Sequence, residues 1–193
     1  MAFQSIFGGC EGSAMIIEKL KNHNRHDIIN LLDGNDNIGV ELGIAAGIFS
    51  ERMISTGKFT SYVGVDMYMD RGHDIEEYKT AIRRNGIFSN YKILKMSFDE
   101  ALDLFDDESI DFLYIDGYAH TGQNDGKTLS DWYPKVKTGG LFAGDDYSKK
   151  RWPKVVKEVN AFLEEQGYEK VYITDTREKT SYCKHPSWVV KKK

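Results

Sequence analysis

The sequence predicts a single α/β domain: a doubly wound sheet of seven strands, mostly parallel, ending in an antiparallel hairpin. Three observations carry this. Short β-rich runs alternate with helix-length segments, the first clear run passes into a glycine turn, and the last two runs have no helix pattern between them. A strand reaches a parallel neighbour only through a crossover of helical length, whereas an antiparallel neighbour needs none.

The elements follow in order. Residues 1–36 carry two helical patches, Ala14–Lys21 and Asp27–Leu32, which belong to no strand–helix unit and are expected to cap the site. The main domain, 37–193, opens with a strand at Ile38–Leu42 and continues with strands at Ser61–Asp66, Tyr91–Met96, Ile110–Ile115 and Gly140–Ala143. The closing pair is Lys170–Thr174 and Ser187–Val190. A helix is expected over His73–Arg84, with Ile75, Tyr78, Ala81 and Ile82 on one side. Ser97-Phe98-Asp99-Glu100 reads as a capping box that opens a helix over Phe98–Phe105. Pro153–Glu165 places Val155, Val156, Val159, Phe162 and Leu163 on one apolar face, with Pro153 suited to a first turn.

Composition excludes several classes of function. A chain of 193 residues holds one domain with a real core. Net charge of −4 advertises no basic face, so nucleic acid is not an expected partner, and the closing Lys191, Lys192 and Lys193 read as a solvated tail. No stretch has the apolar length of a membrane span, and the first residues lack the basic and apolar regions of a secretion signal. Two cysteines, Cys10 and Cys183, do not make a disulfide framework, so a reducing cytoplasm is the expected location. Self-association is left open.

Ligands of such sheets bind at the carboxyl ends of the strands. The first strand runs through Glu41 into Gly43 and Gly47; one glycine allows a tight turn and the other close backbone approach to a ligand. The second ends on Asp66, where a carboxylate can accept from the hydroxyls of a ribose. The spacing Glu41-x-Gly43-x-x-x-Gly47 differs from the three-glycine pattern that seats a pyrophosphate, and its leading carboxylate suits a ligand with an amino-acid end. On these residues the chain resembles the class I S-adenosylmethionine (SAM)-dependent methyltransferases, with their Rossmann-like sheet. The resemblance implies that Glu41, Gly43, Ala45, Gly47 and Ser50 hold the methionine part, Asp66 and Met67 the ribose side, and Ser97 and Phe98 the adenine. Ser97 also keeps its reading as a helix cap.

The fourth strand leads to Asp116 and the fifth, through GLFAG, to Asp145 and Asp146. In a parallel sheet these ends are neighbours, and three unscreened carboxylates disfavour one another's ionisation. A hard divalent cation prefers that all-oxygen setting. Successive residues of a flat strand face opposite ways, so Asp145 and Asp146 can share an ion only where the chain turns, which Gly144 would permit. The competing reading makes Asp146 the cap of a turn before Ser148. The region is similar to the metal-dependent macrocin O-methyltransferase (TylF-like) group, which implies a magnesium ion on Asp116, Asp145 and Asp146 and a hydroxylated small-molecule acceptor. Asp116 and His120 are then the candidate catalytic groups, with His73 a more distant one; Ala119 stands where catechol-type relatives carry a lysine. Tyr118 and Tyr147 are candidate acceptor walls, and Trp132 is read as core. Alternatives remain: a metal-free methyltransferase whose carboxylates bind an amine, a non-catalytic SAM- or nucleotide-binding domain, or a dinucleotide-dependent oxidoreductase.

Overall fold

A computed structural model describes residues 15–69, 73–175 and 183–193. Its strands are β1 (Ile16–Leu20), β2 (Asn37–Leu42), β3 (Phe59–Val65), β4 (Tyr91–Leu94), β5 (Ile110–Ile115), β6 (Val136–Gly144), β7 (Lys170–Thr174) and β8 (Trp188–Lys191). They form one sheet in the order β1-β7-β8-β6-β5-β2-β3-β4. Pairing is parallel except at β8, which runs antiparallel to both β6 and β7. The doubly wound sheet with its terminal antiparallel pair is therefore present as the alternation predicted.

The eighth strand is a correction. The patch read as a helix over Ala14–Lys21 holds β1, which lies along β7 from Ile16↔Lys170 to Leu20↔Thr174. Local pattern does not separate the two states in so short a run, and the adjacent Ile16 and Ile17 suit an extended backbone. An edge partner decides the matter, with Glu18 and Lys170 paired at 2.6 Å. The second patch is a 3₁₀ helix, Arg25–Leu31, rather than an α-helix over Asp27–Leu32. Residues 1–14, including Cys10, and the link 176–182 lie outside the described residues.

Helices cover both faces. Those used below are α1 (Ile48–Ser55), α2 (Ile75–Asn85), α3 (Phe98–Ala101), the single turn α4 (Gly122–Asp125), α5 (Lys127–Trp132) and α6 (Pro153–Glu165). Period-two alternation sorts the strand residues between them. Val40, Leu42, Leu113, Ile115 and Phe142 pack with α5 and α6, and there Trp132 is core, as read. Phe112, Tyr114, Leu141 and Ala143 pack instead with Ile28, Ile29, Phe49 and Met53 from the 3₁₀ helix and α1. Strands buried on both sides read as continuous apolar runs, which is why GLFAG carries no polar alternation.

Helix starts follow side-chain chemistry. Asp74 accepts from the amides of Glu76 and Glu77, so α2 begins at Ile75 rather than His73. The Ser97–Glu100 capping box is formed in both directions, at 3.2 and 2.8 Å. The helix it opens is shorter than expected, because α3 passes into a 3₁₀ turn, Leu102–Leu104. Among the described residues no helix is long and apolar enough to cross a membrane.

Topology fixes where a ligand would sit. From β2 the chain winds outward through β3 and β4, then returns to β5 on the other side of β2. The carboxyl ends of β2 and β5 therefore border the crevice at the point where the winding reverses. Ser97→Ala, which removes the cap of α3, is expected to lower unfolding free energy by about 1 kcal/mol in urea titrations. Unchanged stability would show that the box contributes nothing to the fold.

Candidate functional site at the carboxyl ends of the sheet

The glycine loop after β2 is pinned from four directions. Asp66, just past β3, accepts from the amides of Ile44 (2.9 Å) and Ala45 (3.1 Å) through Oδ2, and from Tyr68 (3.0 Å) through Oδ1. The Tyr68 hydroxyl donates to the Ala45 carbonyl, Arg84 Nε to that of Ala46 and Asn85 Nδ2 to that of Gly47. Gly43 has φ of 95°, and a Cβ there would stand 2.2 Å from the Asp116 carbonyl oxygen. No other residue fits, and the ends of β2 and β5 touch through that glycine. At Gly47 a Cβ would strike Asn85 Nδ2 at 2.5 Å, so its bareness admits α2.

Glu41 and Ser50 bond to one another. Glu41 is one residue inside the end of β2, 1% exposed, and accepts from Ser50 Oγ at 2.6 Å and the Tyr62 hydroxyl at 3.3 Å. The Tyr91 hydroxyl donates to Ser50 at 3.0 Å. These groups form a buried network beneath the loop. Burial pushes the Glu41 carboxyl up to about 8, against the opposing effects of Ser50 and Arg25. Alternation explains the setting: Glu41 shares a face with Tyr114, its partner on β5.

The other cofactor candidates are grouped. Ala45, at φ of 48°, lies in the loop, and half-buried Met67 follows Asp66. Phe98 is buried with its ring under Gly117, where a Cβ would meet it at 2.7 Å, and Tyr118 packs edge-on to it at 5.0 Å. Ser97 acts as the cap of α3. Phe98, Gly117 and Tyr118 thus pack together beside Asp116, whose carbonyl meets the bare face of Gly43. A carboxylate offers about four acceptor positions, leaving Asp66 roughly one beyond its three amides.

The three acids do converge, and their cation belongs to the protein. Arg25 Nη2 stands 2.6 Å from Asp116 Oδ2 and its Nη1 3.2 Å from Asp145 Oδ2. Its guanidinium lies over the rings of Phe49 and Tyr114 at 4.7 and 5.0 Å. Asp145 Oδ1 accepts from Ser187 Oγ, which bonds the Tyr114 hydroxyl at 2.7 Å. Asp116 follows Tyr114 by two residues and Asp145 follows Ala143 by two, so both acids project on the α1 face, where the 3₁₀ helix brings Arg25. The turn that aims Asp146 comes at Asp146 itself, with φ of 62°; Gly144 is needed instead because a Cβ would meet the Ile115 carbonyl oxygen at 2.7 Å. Burial, then the Asp145 and Asp116 charges, push the Asp146 carboxyl up to about 8.

The expected magnesium site on Asp116, Asp145 and Asp146 is not shown. The guanidinium bridges two of the three carboxylates, and among the described residues no three acidic, histidine or cysteine side chains are grouped to hold a metal. Arg25 was missed in the sequence because a lone basic residue in a polar stretch carries no signal.

Two adjoining depressions open beside the cluster. One, of about 280 Å³, is lined by Arg25, Asp116, Asp145, Asp146, Arg151, Trp152, Lys184 and His185. The other, of about 300 Å³, shares Arg151 and Trp152 and includes Ala119, His120 and Lys154. His120 is exposed, its ring edge-on to Trp152 at 4.7 Å, and lines only the second. Tyr147 is not an acceptor wall: it is buried and donates to Asn160 on α6. His73 is exposed and bonds Glu77 at 2.6 Å on the surface of α2.

Between pH 4.5 and 8 the folded chain keeps a proton on Glu41 that the unfolded chain has released. Stability should therefore fall as pH rises through that window, by at most about 1.4 kcal/mol per pH unit from this group. Urea titrations of Glu41→Gln across the window should show a flatter dependence. An identical slope in both proteins would refute the buried, proton-holding carboxyl.

Comparison with known proteins gives the family. A family model described as Methyltransferase domain matches residues 37–147, from the start of β2 to just beyond the acidic pair. No curated protein matches the chain. A Clostridium thermocellum structure described as an rRNA methylase is 15% identical, with a TM-score of 0.61 over 86% of this chain and 94% of its own. The precorrin-6y C5,15-methyltransferase of Geobacter metallireducens is 16% identical, with a TM-score of 0.58 over 85% and 84%. A SAM-dependent O-methyltransferase of Thermotoga maritima is 12% identical, with a TM-score of 0.59 over 86% of this chain and 62% of its own. These likenesses show a shared fold, while the family match spans more than half of the sequence: the chain belongs to the methyltransferase-domain family, for which SAM is the methyl donor.

Proposed function

We propose that the protein transfers a methyl group from SAM to a hydroxyl of a small molecule bound against Asp116 and Asp146. The observation that carries this reading is the contact between the two halves of the site. The bare face of Gly43 abuts the Asp116 carbonyl, so the cofactor crevice and the acid-lined depression share a wall. SAM supplies a methyl on a sulfonium, and its displacement demands in-line approach by the acceptor.

The chain's own residues divide the work. The pinned loop and Asp66 hold the donor side in one conformation. Arg25 fixes the direction of the Asp116 carboxylate, which accepts from an acceptor hydroxyl. Asp146, for which no ion pair is found among the described residues, also lines the depression; in this reading its ionised form, which grows as pH rises toward 8, takes the hydroxyl proton. A divalent ion has no part in this reading, since the guanidinium of Arg25 stands between two of its expected ligands. The depression has the volume of a small group rather than of a polymer, and one fold neighbour is named an O-methyltransferase, which agrees with an oxygen acceptor. The same Asp146 supports one second reading, an amine acceptor that binds protonated and gives its proton to the Asp146 carboxylate before its nitrogen attacks the methyl.

Asp66→Ala should weaken SAM binding by roughly tenfold or more in calorimetric titration, because the loop loses the acceptor of its amides. Asp146→Asn should keep SAM affinity and lower turnover by about a hundredfold. Labelled SAM offered with hydroxylated and amine small molecules, with products identified by mass spectrometry, decides the acceptor. Methylated amines alone would establish the second reading, and absence of SAM binding would overturn both.

A further inference from the structure

We propose that Arg25 is a built-in substitute for a divalent cation: its guanidinium fills the position between Asp116 and Asp145, and the cluster takes no metal while it is there. The inference rests on contacts alone and does not require the methyl-transfer reading.

Three observations support it. The guanidinium bridges, giving one nitrogen to Asp116 at 2.6 Å and the other to Asp145 at 3.2 Å, which is the linking role a divalent ion plays between carboxylates. It is enclosed, with a side chain 5% exposed and its plane over Phe49 and Tyr114. And it is anchored: Arg25 opens its 3₁₀ helix, where Asp27 Oδ2 accepts from the Asn24 amide at 2.7 Å, while Ile28 and Ile29 are fully buried behind it.

The chemistry explains why both cations cannot be held. A calcium- or magnesium-sized ion wants about six or more oxygens, and Arg25 already claims an oxygen of each of two carboxylates. An ion arriving beside it would face a fixed positive charge across the same acids. A guanidinium stays protonated throughout the physiological range, so neutralisation of the cluster depends neither on metal supply nor on pH.

The test is a titration of the whole protein with manganese(II) alone, read by electron paramagnetic resonance and by the thermal midpoint. The wild type is expected to show no stoichiometric binding. Arg25→Gln, which removes the charge, should bind one manganese per chain roughly tenfold or more tighter than the wild type, with a raised midpoint. Adding Asp145→Asn to that variant should abolish the gain. A folded Arg25→Gln protein that binds no better than the wild type would overturn the proposal, as would stoichiometric binding to the wild type that is lost in Asp145→Asn. If Arg25→Gln does not fold, that wild-type comparison decides alone. No methyl donor or acceptor enters the titration, so its failure is distinct from failure of the proposed reaction.

Discussion

Neighbouring strands of a sheet end about 4.8 Å apart, and every second residue faces the same way. From this spacing the site follows. Asp116 continues the side of β5 that carries Tyr114, and Asp145 continues the side of β6 that carries Ala143, which is paired with Tyr114. Two acids are thereby held face to face at a buried edge, where their repulsion and desolvation are most costly. A cation must be supplied, and the 3₁₀ helix before β2 supplies it as Arg25. Burying that charge is tolerable because it is bonded on two sides and its flat surface rests on aromatic rings.

The donor side shows the same economy with neutral groups. Five hydrogen bonds fix the backbone from Ile44 to Gly47, and their side chains come from two places in the chain: Asp66 and Tyr68 after β3, and Arg84 and Asn85 at the end of α2. A loop so held needs no ordering when a ligand arrives, which removes an entropic cost of binding. The unusual φ at Gly43, Ala45 and Tyr68 are the local expense of that rigidity.

Between the two halves lies the Glu41–Ser50–Tyr91 network, with Tyr62 on its flank. Its members satisfy one another away from water, as buried polar groups must. Glu41 sits close enough to Arg25 and Asp116 for both charges to act on it, so the donor loop and the acid cluster share one electrostatic environment. That environment links the two strands at which the winding of the sheet reverses.

Much of this was legible in the sequence, and the legible parts are local. Strand–helix alternation, the Ser97–Glu100 box, the amphipathic run from Pro153 and the apolar GLFAG strand each obey rules acting over a few residues, and each appears where those rules put it. The convergence of Asp116, Asp145 and Asp146 followed from strand order, because parallel neighbours end together. What tertiary structure alone decided involves partners distant in the chain. Ile16–Leu20 became a strand because β7 offered an open edge, an outcome no local period separates from a helix in five residues. Gly47 and Gly144 are bare for the sake of α2 and β5. Glu41 faces inward because the register of β2 against β5 puts it beside Tyr114. The cation of the acid cluster is an arginine 91 residues from Asp116. A sequence shows that like charges will meet; which positive group arrives first is settled only by the packing that carries it there.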